Sequence, residues 1–553
     1  MPQSIIAAAM SESVPRTISG VDRVEARALP QVKIRWLCAL IVLGVTAAAL
    51  AIRWPYLLLV PRLTDETVEA DWAMQVVRGE NYPLTLFHAH IGAVHTYLLA
   101  FLFRVFGLHA ALPRAVSTIF GALLAGLTAW LAWQFAIREP RLGAGGRARP
   151  PAAAALLAGG LVATSFPLAA SNSHIGWANC LTPFFATLAL GLTWLGVVDE
   201  RPWWLVLSGF VWAIALQTHP TALGVLPGVA LWFVIHPTGR RWLRTRWPWL
   251  TAAAFAVGYG NMIWYNVATR GGSLAAALDA GNANRVPPTL IEHVVTVGSV
   301  FVQLGRMVAG AYAIQPDGEF PTLITPATIV CIALALLALI WAARSIQTAI
   351  LPLAVVSGAL TLPLITDNFE GFYDARYIDF MLPLVYLALA LAAVSVWEAW
   401  RGRTKAAVWT LGDTVFTLAA AVLVALPLLS LARFYGDSER YGLTNAPFIE
   451  TAAEAHSQAG QGVVVVLDRE TSHISLSGGG NTRRALEYLL TMNGTNFRVE
   501  PVDNMRWLLD NSEAPMFVIL SDASYGALVS QYPLTPTTLH GSGFGAYTAR
   551  AAR

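Results

Sequence analysis

Trp36-Leu-Cys-Ala-Leu-Ile-Val-Leu-Gly-Val-Thr-Ala-Ala-Ala-Leu-Ala-Ile52 is an uninterrupted apolar run, and about ten residues beyond it stands Pro61-Arg-Leu-Thr-Asp65-Glu66. The run reads as a first membrane span. A tail containing Arg16, Arg23, Arg27, Lys33 and Arg35 precedes it, and no small-residue cleavage site closes it. This predicts an uncleaved span with its N-terminus in the cytoplasm. Charged groups near hydrocarbon are costly, so two adjacent carboxylates just past the first span mark the place to look for chemistry.

Composition agrees: 56% hydrophobic residues, 12% charged and a mean hydropathy of +0.55 describe a chain whose main solvent is lipid. Further apolar runs are predicted at 114–137, 151–170, 179–198, 204–218, 220–236, 249–268, 323–343, 349–366, 377–397 and 410–432. The segment 91–106 is apolar but short, and the distribution of Arg and Lys assigns it. If it lies along the outer surface, Arg138, Arg141, Arg147 and Arg149 fall on the same side as Arg240, Arg241, Arg244 and Arg246, and as Arg401, Arg403 and Lys405. Eleven crossings follow, with twelve or thirteen as the alternatives.

That topology places Asp65-Glu66, the Ser171-Asn-Ser-His174 loop and His219 outside. The net charge of +3 is negligible for 553 residues, which excludes nucleic acid as a partner. Cys38, Cys180 and Cys331 all lie in apolar segments and read as small core residues rather than a disulfide framework or thiolate metal site. Residues 434–553 change character. Gly462-Val-Val-Val-Val-Leu-Asp468 and Pro515-Met-Phe-Val-Ile-Leu-Ser-Asp522 read as buried strands, and 482–492 and 503–511 as helices, which predicts a small α/β domain. The Gly478-Gly-Gly480 turn lacks the spacing of a dinucleotide or P-loop fingerprint and reads as a plain loop.

The predicted division is thus a cytoplasmic tail 1–35, a membrane part 36–433 with extracytoplasmic loops 55–113, 269–321 and 367–376, and an extracytoplasmic domain 434–553. The predicted location is the plasma (inner) membrane.

Several motifs follow one another in a suggestive order. After Asp65-Glu66 come Gly92-Ala-Val-His-Thr-Tyr-Leu-Leu-Ala-Phe-Leu-Phe-Arg-Val-Phe-Gly107 and Leu112-Pro-Arg-Ala-Val-Ser117. Leu207-Ser-Gly-Phe-Val-Trp-Ala-Ile-Ala-Leu-Gln-Thr-His-Pro220 and Arg376-Tyr-Ile-Asp-Phe-Met-Leu-Pro383 lie downstream. This series resembles the dolichyl-phosphate-mannose protein mannosyltransferase-like glycosyltransferases, whose relatives include the aminoarabinose transferases acting on lipid A. His219 stands where that family usually has Lys, and the family's Pro-Pro signature is absent. Trp203-Trp204 is followed by Leu205, so the Trp-Trp-Asp oligosaccharyltransferase branch is set aside.

The resemblance implies an all-α polytopic membrane protein of the GT-C type, with about 11 to 13 transmembrane helices and a small extracytoplasmic α/β domain. It implies a glycosyltransferase taking a sugar from a polyprenyl-phosphate donor to an extracytoplasmic protein, lipid or glycan, with inversion. Asp65 matches the general base, and Glu66 the neighbour that helps place a substrate. Arg376, His219, His88 and His90 would bind the donor phosphate, and His174 and Tyr377 would line the cavity. No cofactor is required, and a divalent ion at Asp65-Glu66 is allowed. The competing readings are a transporter or lipid flippase, which would need intramembrane ion pairs, and a noncatalytic GT-C scaffold.

Overall fold

The computed structural model describes residues 31–143, 149–282, 289–310, 325–364, 374–403, 406–440, 442–473, 481–541 and 543–550. Arg16, Arg23, Arg27, Arg147, Lys405, the Gly478–Gly480 turn and most of the 367–376 loop lie outside these residues.

The first helix is α1 (Gln31–Arg53), followed by α2 (Glu66–Arg78), α3 (Val94–Phe106) and α4 (Leu112–Arg138). Next come α5 (Arg149–Thr164) and α6 (Phe166–Ser173), bent by 52° from one another at Ser165. A 3-10 turn, Ala178–Leu181, leads into α7 (Thr182–Val198). Then follow α8 (Pro202–Thr218), a 3-10 turn Pro220–Val225 and α9 (Leu226–Ile235). Beyond them α10 (Trp247–Gly258) and α11 (Gly260–Thr269) are separated at Tyr259. Pro stands in the first turn of α4, α6, α7, α8, α9 and α10, where its missing N–H costs nothing and its fixed φ suits a helix start.

Within the described residues every apolar run predicted from the sequence is largely helical, but not all of the helices are long. Among the described residues six helical segments have the length and apolarity to cross a membrane, and the bent α5–α6 pair would make a seventh. The remainder are shorter or interrupted: α8, at 17 residues, rises only about 25 Å. The 13 residues of α3 rise about 20 Å, well short of a hydrocarbon core of about 30 Å. Helix α3 buries His95, Thr96, Leu99, Ala100 and Phe103, and exposes Phe101, Val105 and Phe106.

The segment 269–321, expected as a loop, instead carries a helix at Gly272–Asn282 and a second, α12 (Leu290–Ala309). Thr289 and Glu292 cap α12 reciprocally, a start signal visible in the sequence. Three further helices follow: α13 (Pro326–Ala343), α14 (Ile350–Thr361) with a 3-10 turn after it, and α15 (Leu382–Arg403). The last, α16 (Ala406–Arg440), continues past Phe434, where the sequence reading ends the membrane part.

Small residues let the central helices touch. A Cβ at Gly159 of α5 would come within 2.7 Å of the Ala129 Cβ on α4 and 2.8 Å of Val45 on α1, and one at Gly126 would collide with Thr46. Such close approach supplies dispersion contact where lipid removes the hydrophobic drive for helices to associate. Around this seam Ala125, Ala132, Ala155 and Ala158 are fully buried.

The C-terminal domain opens with α17 (Ala446–Gly460) and builds a five-stranded sheet. Strands β1 (Val464–Asp468), β2 (Phe497–Glu500) and β3 (Met516–Ser521) run parallel, with Val465 opposite both Phe497 and Phe517. A hairpin of β4 (Thr535–Gly541) and β5 (Phe544–Ala549) closes the order β2-β1-β3-β5-β4, antiparallel to β3. The predicted helices form as α18 (Thr482–Met492) and α19 (Val502–Asn511). Tyr488 of α18 reaches the start of α4, donating from its hydroxyl to the Ala110 carbonyl at 2.7 Å.

Candidate active site

The chain between α1 and α2 is held by one residue from the far end of the sequence. Asn445 donates from Nδ2 to the carbonyls of Leu58 (2.7 Å) and Pro61 (3.0 Å), and its Oδ1 accepts the Leu63 N–H at 2.8 Å. Its own N–H donates to the Leu59 carbonyl. This clamp fixes the approach to Asp65, which occupies the N-cap of α2. A cap Asp usually turns its carboxylate back on the helix N–H groups. Asp65 does not: its side chain makes no capping hydrogen bond, and it faces a cavity instead.

Glu66 points elsewhere. Its carboxylate takes the Arg114 guanidinium through Nε and Nη2, and its Oε2 also accepts the Gly176 N–H at 2.6 Å. Arg114 donates onward from Nη1 to the Leu57 and Val60 carbonyls. At 1% and 2% exposure, Arg114 and Glu66 form a buried, two-pronged ion pair tying α2 to α4 and to both flanking loops.

The second carboxylate at the cavity is Glu69, one helical turn after Asp65 and therefore on the same face of α2. It is 4% exposed. Its Oε2 accepts the Ala178 N–H at 2.9 Å and meets His95 Nδ1 at 2.7 Å. The sequence reading missed Glu69, although its spacing from Asp65 was the available signal.

The cavity measures about 180 Å³. Asp65 and Glu69 line it, with Trp177 and Asn179 from the turn before α7. Phe87, His88, His90 and Ile91 enter from the loop before α3, His219 from the end of α8, and Arg376 with Tyr377 from the turn before α15. The rings form a continuous series: His88 stacks on His90 at 5.6 Å, His90 meets His219 edge-on at 6.4 Å, and His219 lies 5.4 Å from Tyr377. Arg376 sits over the rings of Trp177 (4.3 Å) and Tyr377 (4.5 Å) and donates to the Tyr377 hydroxyl at 2.8 Å.

His90 and His219 are not cations at neutral pH. Burial, reinforced by His88, pushes His90 down to about 4. Burial, with His90, Arg376 and His88 nearby, holds His219 well below the usual histidine range. The Thr221 N–H donates to His219 Nδ1, which fixes the neutral tautomer carrying its hydrogen on Nε2. These two side chains therefore offer hydrogen bonds, and Arg376 supplies the positive charge.

Of the residues the sequence singled out, Asp65, His88, His90, His219, Arg376 and Tyr377 line this one cavity, from four separate segments. His174 does not. It is fully buried, its Nε2 lies 2.7 Å from the Tyr435 hydroxyl, and burial beside Arg114 and Arg53 pushes it down to about 3. Asp71 is exposed and hydrogen-bonded to Gln75, as a solvated helix residue. Among the described residues no group of three or more His, Cys, Asp and Glu is arranged to hold a metal ion.

Residues 88–264 match the family model described as dolichyl-phosphate-mannose-protein mannosyltransferase. The fold is similar along nearly its whole length to ArnT from Cupriavidus metallidurans. In the apo state the TM-score is 0.55 at 14% identity, covering 94% of this chain and 98% of that one. Bound to undecaprenyl phosphate the TM-score is 0.54 at 12% identity, with the same coverage. A looser likeness, TM-score 0.45 at 11% identity, covers 92% of this chain and 72% of the Archaeoglobus fulgidus oligosaccharyltransferase in complex with Zn and sulfate. No curated protein sequence matches the chain significantly.

Proposed function

We propose that this chain, which carries the fold of the GT-C membrane glycosyltransferases and matches the mannosyltransferase family over residues 88–264, transfers a sugar from a polyprenyl-phosphate donor to a hydroxyl acceptor. The observation that carries this reading is the pairing, in one small cavity, of a carboxylate with no capping bond, Asp65, and a guanidinium braced by aromatic rings, Arg376. The undecaprenyl phosphate bound by the similar ArnT structure supports a donor of that class.

In this reaction Asp65 takes the proton of the acceptor hydroxyl. The oxygen attacks the anomeric carbon from the face opposite the phosphate, giving inversion. The bond from that carbon to the phosphate oxygen breaks, and its electron pair leaves with the phosphate. Arg376 meets the developing charge, and His219 Nε2–H and His90 orient the phosphate by hydrogen bonds. Glu66 takes no part in proton transfer, because both its oxygens are bound; it fixes the start of α2, and so Asp65, through Arg114.

The test is transfer of labelled sugar from a panel of polyprenyl-phosphate sugars, using membranes with wild-type protein or equally expressed Asp65→Asn. A labelled product that falls at least about a hundredfold in the variant supports the reading. Undiminished transfer by Asp65→Asn removes Asp65 as base, and no transfer across a broad donor and acceptor panel refutes the activity.

A further inference from the structure

A base and a phosphate clamp leave two polar groups at the cavity wall without a role. Asn179 is 5% exposed and lines the cavity, yet among the described residues neither Oδ1 nor Nδ2 has a hydrogen-bond partner. A buried primary amide with both ends unmet is costly, and such groups are rare unless something else supplies the bonds. Glu69 stands beside it, because the N–H of the neighbouring Ala178 donates to Glu69 Oε2. With Oε2 also held by His95 Nδ1, the carboxylate is fixed, and Oε1 has no hydrogen bond among the described residues.

A fixed carboxylate oxygen accepts, and an amide both donates and accepts. Adjacent hydroxyl groups on a sugar ring need that combination. We infer that Glu69 and Asn179 form the sugar-recognition subsite, Glu69 Oε1 accepting from one ring hydroxyl while the Asn179 amide donates to and accepts from its neighbour. The inference rests on the donor reading above and assigns that donor's sugar end to the part of the cavity lined by α2 and the turn before α7, while Arg376 meets the phosphate. His95 is a positioning residue: its hydrogen bond selects which Glu69 oxygen is left for the ligand.

The experiment measures binding by full-length protein in lipid nanodiscs, comparing undecaprenyl phosphate with undecaprenyl-phosphate hexoses and pentoses. Wild type is expected to hold at least one sugar-bearing lipid more tightly than the bare lipid. Glu69→Gln and Asn179→Ala should each reduce that sugar-dependent gain by about tenfold or more, the value of one hydrogen bond to a charged or buried partner, while bare-lipid affinity stays within about twofold of wild type. Asn179→Ser, a smaller change, keeps the test open if the alanine variant folds poorly.

An unchanged gain in folded variants overturns the subsite. So does an equal loss of bare-lipid binding, which would place both residues at the phosphate or in the fold. A wild type that binds bare lipid with no sugar-dependent gain overturns the subsite alone. A wild type that binds neither lipid refutes the donor reading itself, and the subsite with it.

Discussion

Glu66 and Arg114 lock together beneath α2, with two guanidinium nitrogens on one carboxylate, both side chains buried, and every remaining strong hydrogen bond of the pair directed to backbone in adjoining loops. Removing one partner leaves an uncompensated buried charge, which costs about 3–5 kcal/mol. Arg114→Ala or Glu66→Ala should therefore sharply lower the thermal stability of the purified protein. The double variant should cost less than the sum of the singles, because it leaves no lone charge behind. Additive losses in that cycle would show that the pair is not energetically coupled.

Arg376 is braced over Trp177 and Tyr377, and with His90 and His219 held neutral by burial it carries the cationic work at the cavity. Arg376→Ala should lower transfer by about a hundredfold or more, as loss of a preorganised charge partner does. Arg376→Lys should recover only part of this, because an ammonium lacks the planar fork and stacks less well on rings. Equal activities of the lysine variant and wild type in a labelled-sugar assay would show that charge alone suffices.

The depressed His90 value gives a pH signature. The unfolded imidazole takes up its proton near its ordinary value of about 6.5, whereas the folded one waits until about 4. The folded state thus binds fewer protons in that window. Stability is fully present above about 6.5 and declines as pH falls towards about 4. Thermal unfolding of solubilised protein at several pH values should show this decline, and His90→Gln should make it shallower. A variant curve parallel to wild type would mean that other groups set the acid sensitivity.

How far the sequence led is clearest at α2. That a helix with two carboxylates begins just after the first span is readable from hydropathy and residue type. Which carboxylates share the cavity is not, if adjacency in the chain is taken as adjacency in space. Each helical residue turns about 100°, so Glu66 swings away to Arg114 while Glu69 returns to within about 40° of Asp65. The convergence of His88, His90, His219 and Arg376 was legible through the order of the motifs. The neutrality of His90 and His219 was not, because burial comes from segments more than a hundred residues apart. The hairpin β4–β5 escaped notice for a different reason: β4 is an edge strand, half-exposed along its length and punctuated by Pro536, with none of the apolar continuity that announced β1 and β3.

The link between Asn445 and the chain before Asp65 could not be read either, since nearly the whole membrane part separates the two in sequence. It has a functional consequence. Asn445 satisfies the Leu58 and Pro61 carbonyls and the Leu63 N–H from one buried side chain. Asn445→Ala leaves these groups to find other partners, at about 1–3 kcal/mol for each that stays unsatisfied, and frees the segment that aims Asp65. Donor binding, centred on Arg376 and the histidines, should be largely kept, while turnover falls by about tenfold or more, since a misplaced base costs rate rather than affinity. Truncation after about residue 434 removes the same clamp together with the Tyr488 contact to Ala110, and should reproduce the pattern more severely. Measuring undecaprenyl-phosphate-sugar binding and transfer side by side on the same preparation decides it: equal losses in both would mean that the C-terminal domain supports the whole cavity rather than the base alone.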